Sequence, residues 1–202
     1  MRKLALFGTL VLFAAGAGAQ ALPPVEQILS ERILGKSDAP VTVIEYASFT
    51  CPHCASFHNK QFPAIEKEYI ATGKARLVFR EYPTSPRALS VAASMMARCA
   101  PRSRYFAIVK MLFRTQERWT RAADPTKALA GIGRLAGMSQ ATFEACLNNE
   151  PVYRGILGRA LEGERKDKVE GTPTFLVNGR KIRSGLSLDE FRKVLDAAAG
   201  GK

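Results

Sequence analysis

The sequence predicts an α/β domain whose sheet is interrupted by a long helical insertion. Three observations carry that reading. An apolar, β-branched run at Val41–Tyr46 leads into a helix, and a second strand follows at Arg76–Tyr82. From about residue 85 to 169 the period turns helical. Strand character then returns at Thr174–Val177, where the Asn178-Gly179 pair marks a tight hairpin turn.

The first 21 residues read as an export signal. Arg2 and Lys3 precede an apolar run from Leu4 to Ala15, and small residues set cleavage after Ala19 or Ala21. Residues 22–202 are then the mature domain. No later apolar run reaches the roughly 18 residues needed to span a bilayer. Removing residues 1–21 takes away two positive charges and no acid, so the formal charge falls from +12 to +10. Such a balance suits anionic partners such as nucleic acid or a membrane surface, but an exported protein rarely meets nucleic acid and the Lys and Arg are spread throughout, so a solvated basic surface and no nucleic-acid partner are expected.

The remaining elements follow from local signals. Phe62, Ile65 and Tyr69 share one helical face, Pro63 should kink that helix, and Gly73-Lys74 should stop it. Ser85-Pro86, Asp124-Pro125 and Ser139 read as helix starts, giving four or five helices in the insertion. Beyond the hairpin turn, Lys181–Arg183 should form the returning strand. Ser187 and Glu190 form a capping box, Leu186 and Phe191 can staple it, and Leu188, Phe191, Val194 and Leu195 make the inner face of the closing helix.

The chemistry is concentrated in Cys51-Pro52-His53-Cys54, which opens a helix directly after a buried strand. With Cys51 at the N-cap, Pro52 takes the first helical position, where a missing N–H costs nothing. The N–H groups of His53 and Cys54 then face the Cys51 sulfur and favour its thiolate, helped by the positive helix end. Cys54, one turn deeper, is the expected buried resolving thiol. Haem attachment requires His immediately after the second Cys, and Ala55 stands there. Zinc would need four ligands, and no second C-x-x-C exists, so no metal is expected. Cys99 and Cys146 both fall in the insertion, where they read as a structural disulfide, with two buried free thiols as the competing reading. A proline at a strand start, as in Gly171-Thr172-Pro173-Thr174, is explained either by a cis Thr-Pro bond or by an ordinary trans one.

Weaker signals have plainer readings. Gly131-Ile-Gly133 imitates a dinucleotide fingerprint but lies late in a helix with no strand before it, and Gly137 reads as the stop. Lys110, Arg114, Arg118 and Arg121 read as a solvated basic stripe, Trp119 as packing, and His58 as a surface or core residue of the active-site helix.

Taken together, Cys51-Pro-His-Cys54, the helical insertion and Gly171-Thr-Pro-Thr-Phe-Leu-Val-Asn-Gly179 resemble the DsbA family of bacterial periplasmic thiol:disulfide oxidoreductases over residues 35–200. The resemblance implies a thioredoxin fold, with Cys51 as the sulfur that exchanges with substrate and Cys54 as the resolving thiol. It implies that Pro173 is a cis proline facing the active site, with Thr172 offering backbone hydrogen bonds to an extended substrate beside Pro52. It implies a buried acid at Glu45 that relays protons to Cys54, and a strongly oxidising couple from His53 in the dipeptide. Against that last point, Thr before the cis proline occurs in both oxidases and isomerases. The resemblance further implies a monomeric periplasmic oxidase whose only redox group is its own disulfide. Its clients would be unfolded exported proteins with free cysteines, and its reoxidant a DsbB-like membrane partner. A reductase or isomerase of the same fold is the alternative, and a non-enzymatic peptide-binding module a more distant one.

Overall fold

A computed structural model describes residues 21–200 of the chain. The expected export segment lies outside the described residues except for Ala21. After helix α1 (Val25–Leu29), strands β1 (Arg32–Leu34) and β2 (Val41–Ala47) lead to α2 (Pro52–Lys60). Next come α3 (Phe62–Ile65), a π-type turn over Glu66–Ile70, and β3 (Ala75–Glu81). The insertion contains α4 (Arg87–Cys99), α5 (Tyr105–Arg114), α6 (Gln116–Thr120), α7 (Pro125–Leu135), α8 (Gln140–Leu147) and α9 (Glu150–Asp167). Strands β4 (Thr174–Val177) and β5 (Arg180–Lys181) and helix α10 (Leu188–Gly200) close the chain.

The five strands form one sheet in the order β1-β3-β2-β4-β5. Only the central β2/β3 pair is parallel, with Val41 opposite Ala75 and Ala47 opposite Glu81. This is the thioredoxin fold. A parallel pair needs a crossover, and α2, α3 and the π-type turn supply it. Because side chains alternate across a strand, Val41, Val43, Glu45 and Ala47 share one face of β2. There Val41 and Val43 join Phe57, Phe62, Phe175, Phe191 and Leu195 in a buried cluster, so α2, α3 and α10 cover this face. Ile44 and Tyr46 face the other way, and Tyr46 packs against α9 at Gly163.

Several expectations change in detail. The sheet begins earlier than expected, at β1, an antiparallel edge strand too short for a period to show. The insertion has six α-helices, not four or five, because the α5/α6 boundary at Thr115 carries no proline or glycine to mark it. Ser85 does not cap α4: Pro86 is the N-cap and takes the Ser90 N–H on its carbonyl, while the Ser85 carbonyl accepts from the Thr50 hydroxyl at 3.2 Å. The Ser85–Pro86 peptide is cis. The active-site helix breaks at Gln61, where a proline two residues on removes a donor and crowds the preceding turn. The returning strand is Arg180–Lys181, which starts one residue earlier and ends two residues earlier than expected, because the turn occupies only Asn178 (φ 48°) and Gly179 (φ 80°).

Other local signals hold. Asp124 and Ser139 cap α7 and α8 by accepting from the Lys127 and Thr142 N–H groups. In the capping box of α10, the Ser187 N–H donates to Glu190 at 2.8 Å, and the Glu190 N–H returns to the Ser187 hydroxyl at 3.3 Å. Trp119 is buried, and its indole N–H donates to the Leu112 carbonyl.

Candidate active site

Strand β2 delivers the chain through Ser48–Thr50 to Cys51, the N-cap of α2 with φ −79° and ψ 120°, and Pro52 occupies the first helical turn. This short loop is buried and tied on both sides. The Ser48 hydroxyl bonds that of Ser90 at 2.8 Å, and the Thr50 hydroxyl donates to the Thr84 and Ser85 carbonyls. From the insertion, the Gln116 amide donates to the Phe49 carbonyl at 2.8 Å and to the Cys51 carbonyl at 3.0 Å. Nothing local in the sequence marks Gln116, since its partners lie more than sixty residues away in the chain.

Cys51 and Cys54 are free thiols. The Cys51 side chain lies 3.2 Å from the Thr172 carbonyl oxygen, and the Thr172–Pro173 peptide is cis. Its thiol is pulled down to about 5. The chief cause is the neighbouring Cys54 thiol, which donates to the thiolate; the Thr172 side chain and the Cys54 and His53 N–H groups add to it against burial. Those N–H groups contribute as the positive end of α2 without closing a full cap hydrogen bond to the sulfur. Cys54 is fully buried, and burial first, then the Cys51 sulfur, then the charge of Glu45 hold its thiol well above the usual range. The two cysteines are thus driven apart, an exchanging thiolate above a protonated resolving thiol.

Glu45 and His58 lie beneath the pair. Glu45 is fully buried, and both of its carboxylate oxygens lie 3.0 Å from Nε2 of His58. Sequence reasoning placed His58 in the core or at the surface and gave it no task. The usable signal was its spacing, since i+4 from Cys54 puts both on the inner face of α2.

On the outer side, His53 is exposed beside a groove of about 570 Å³ that runs past Thr172 and Pro173 to Phe175, Leu186 and Phe191. Cys99 and Cys146 are bonded to each other and lie within the insertion, joining α4 to the end of α8. No described helix is long and apolar enough to cross a membrane.

The thioredoxin family profile matches residues 28–197. The chain belongs to the thioredoxin family. It resembles the putative protein-disulfide oxidoreductase RT0103 of Rickettsia typhi, 31% identical over 84% of this chain and 62% of that protein. The chain therefore spans about three fifths of the length of such rickettsial relatives. Disulfide bond formation protein D of Bacillus subtilis is 25% identical over 92% of this chain and 84% of that protein. Among solved structures, alpha-DsbA1 of Wolbachia pipientis superposes with a TM-score of 0.78 and 30% identity, covering 85% of this chain and 92% of that one. Within the thioredoxin family the chain groups with the DsbA-like members.

Proposed function

We propose that this protein is a periplasmic thiol:disulfide oxidase that donates its Cys51–Cys54 disulfide to unfolded exported proteins. The observation that carries this reading is the split between the two thiols, with Cys51 lowered to about 5 and Cys54 raised well above its usual range. Stabilising the thiolate stabilises the reduced enzyme, which makes the disulfide the stronger oxidant. In the forward reaction a substrate thiolate attacks Cys51 Sγ, the Cys51–Cys54 bond breaks, and Cys54 leaves and is protonated. A second substrate thiolate then attacks the substrate sulfur of the mixed disulfide and releases Cys51 as its thiolate.

Around this step the other residues take defined roles. Thr172 and the cis Pro173 present backbone to an extended substrate, Pro52 and His53 form the opposite lip, and Glu45 serves as the buried acid that exchanges a proton with Cys54. Cys99–Cys146 braces the insertion. The protein acts as a monomer, needs no cofactor beyond its own disulfide, and is reoxidised by a DsbB-like membrane partner.

Equilibration of the mature protein against glutathione redox buffers, with the free thiols then trapped, tests this reading. The expected result is a potential well above the glutathione poise, with Cys51 and Cys54 titrating while Cys99 and Cys146 stay paired. A potential near or below that poise would assign the protein to reductase or isomerase duty instead. Full biological activity in a folded Cys51→Ser, Cys54→Ser variant would leave only a peptide-binding role.

A further inference from the structure

Burying a carboxylate is costly unless it is hydrogen-bonded, and among the described residues the sole hydrogen-bond partner of the Glu45 carboxylate is His58. The imidazole is itself enclosed. Its side chain is 2% exposed, it stacks on Phe113 with ring centres 4.3 Å apart, and the rings of Phe57, Phe62 and Phe79 surround it. Its Nδ1 is buried with no hydrogen-bond partner. A proton on Nδ1 would be an unsatisfied buried donor, whereas a proton on Nε2 lies against two oxygens, so the hydrogen belongs on Nε2. The other charged groups of this sheet face are engaged elsewhere: Glu81 is paired with Arg98 at 2.6 Å and with the Tyr105 hydroxyl at 2.6 Å, and Arg32, two strands over on β1, donates to the Ile28 and Arg98 carbonyls. The ionisable side chains set against Glu45 are therefore Cys54 and His58, one turn apart on the same helix.

We propose that His58 is a positioning residue for the resolving half-reaction, holding the Glu45 carboxylate in the one orientation from which it exchanges a proton with Cys54. One N–H shared by both oxygens fixes the carboxylate plane and leaves a lone pair on each oxygen free. This rests on the reading of Glu45 as the acid that serves Cys54. In the oxidising half of the cycle, with glutathione disulfide as the two-electron acceptor, the Cys51 thiolate first forms a mixed disulfide and releases one glutathione. The Cys54 proton then passes to Glu45, the Cys54 thiolate attacks Cys51 Sγ, the Cys51–Cys54 bond forms, and the second glutathione leaves as its thiolate. When substrate is oxidised the proton returns from Glu45 to the departing Cys54. His58 neither gains nor loses a proton in either direction.

The test is acid-quenched mass spectrometry of reduced protein mixed with glutathione disulfide at neutral pH, which resolves capture by Cys51 from closure by Cys54. His58→Phe keeps the ring and its stacking on Phe113 and removes only the donor. Its Cys51–glutathione adduct is expected to accumulate and close about tenfold more slowly or worse, while capture stays at the wild-type rate. His58→Gln, whose amide can reach Glu45, should restore most of the closure rate. Wild-type closure in His58→Phe, even with reduced stability, would overturn the proposal and leave His58 a packing residue. Should that variant fail to fold, His58→Gln and the shorter His58→Asn replace it: fast closure in the first and slow in the second supports the proposal, and equal rates overturn it. Glu45→Gln separates the two ideas. If it too closes at the wild-type rate, the role of Glu45 itself fails; if it is slow while His58→Phe is fast, only the role of His58 fails.

Discussion

At the scale of single residues, the functional asymmetry is written in two thiols three positions apart. In the reduced protein Cys51 is lowered to about 5 from an unfolded value near 8.5, so it contributes stability that is complete above the unfolded value and lost as pH falls through 5. Cys54 has the opposite sign. Its folded value is raised, so the unfolded chain ionises first above about pH 8.5 and stability declines from there. The stability of the reduced form relative to the oxidised one should therefore climb between pH 5 and about 8.5, by at most about 1.4 kcal/mol per unit, and fall beyond. Denaturant unfolding of both redox forms across pH checks this, and thiolate absorbance should titrate with a midpoint near 5 that disappears in Cys51→Ala. A reduced form whose advantage is flat over that window would show that Cys51 is not a stabilised thiolate.

At the scale of elements, α9 carries three glycines, and two of them, Gly163 and Gly158, have opposite prospects. A Cβ on Gly163 would lie 2.5 Å from Cε1 of Tyr46. That ring cannot swing away, because its hydroxyl donates to Asp167 at 2.5 Å and accepts from Arg80 at 2.8 Å. A Cβ on Gly158 would meet nothing within 4 Å. Gly163→Ala should therefore cost about 1–3 kcal/mol, and Gly158→Ala should gain about 0.5–1 kcal/mol, both read by denaturant unfolding. The same contrast explains what was legible beforehand. The capping box of α10, the Asn178-Gly179 turn and the Cys51–Cys54 motif are local patterns, each complete within four residues. Strand β1 has only three residues and is a strand because β3 pairs with it, and the α5/α6 break at Thr115 leaves no breaker in the sequence. Gln116 and the Glu45–His58 contact depend on which distant segments meet. His58 was half visible, since its spacing from Cys54 fixed its face but not its partner.

At the scale of the whole molecule, one buried cluster runs across the junction of the insertion and the sheet domain: Phe49, Cys51 and Cys54 pack in it with Ile108, Leu112, Trp119, Leu129 and Phe143. The active-site loop is thus part of the interface between the two halves, and Gln116 holds it from the insertion side. Within the insertion, the Cys99–Cys146 bond joins residues 47 apart in sequence, and the chain-entropy argument gives a loop of that length about 4 kcal/mol of stabilisation as an upper expectation. Because α4 and α5 contribute directly to the shared core, loosening the insertion should loosen the sheet domain with it. A Cys99→Ala, Cys146→Ala variant is therefore expected to unfold in one cooperative transition at lower denaturant, with probes in the insertion and near the active site moving together. Two separated transitions, with the insertion melting first and the Cys51 environment intact, would show instead that the insertion is an independent unit and that the shared core does not couple them.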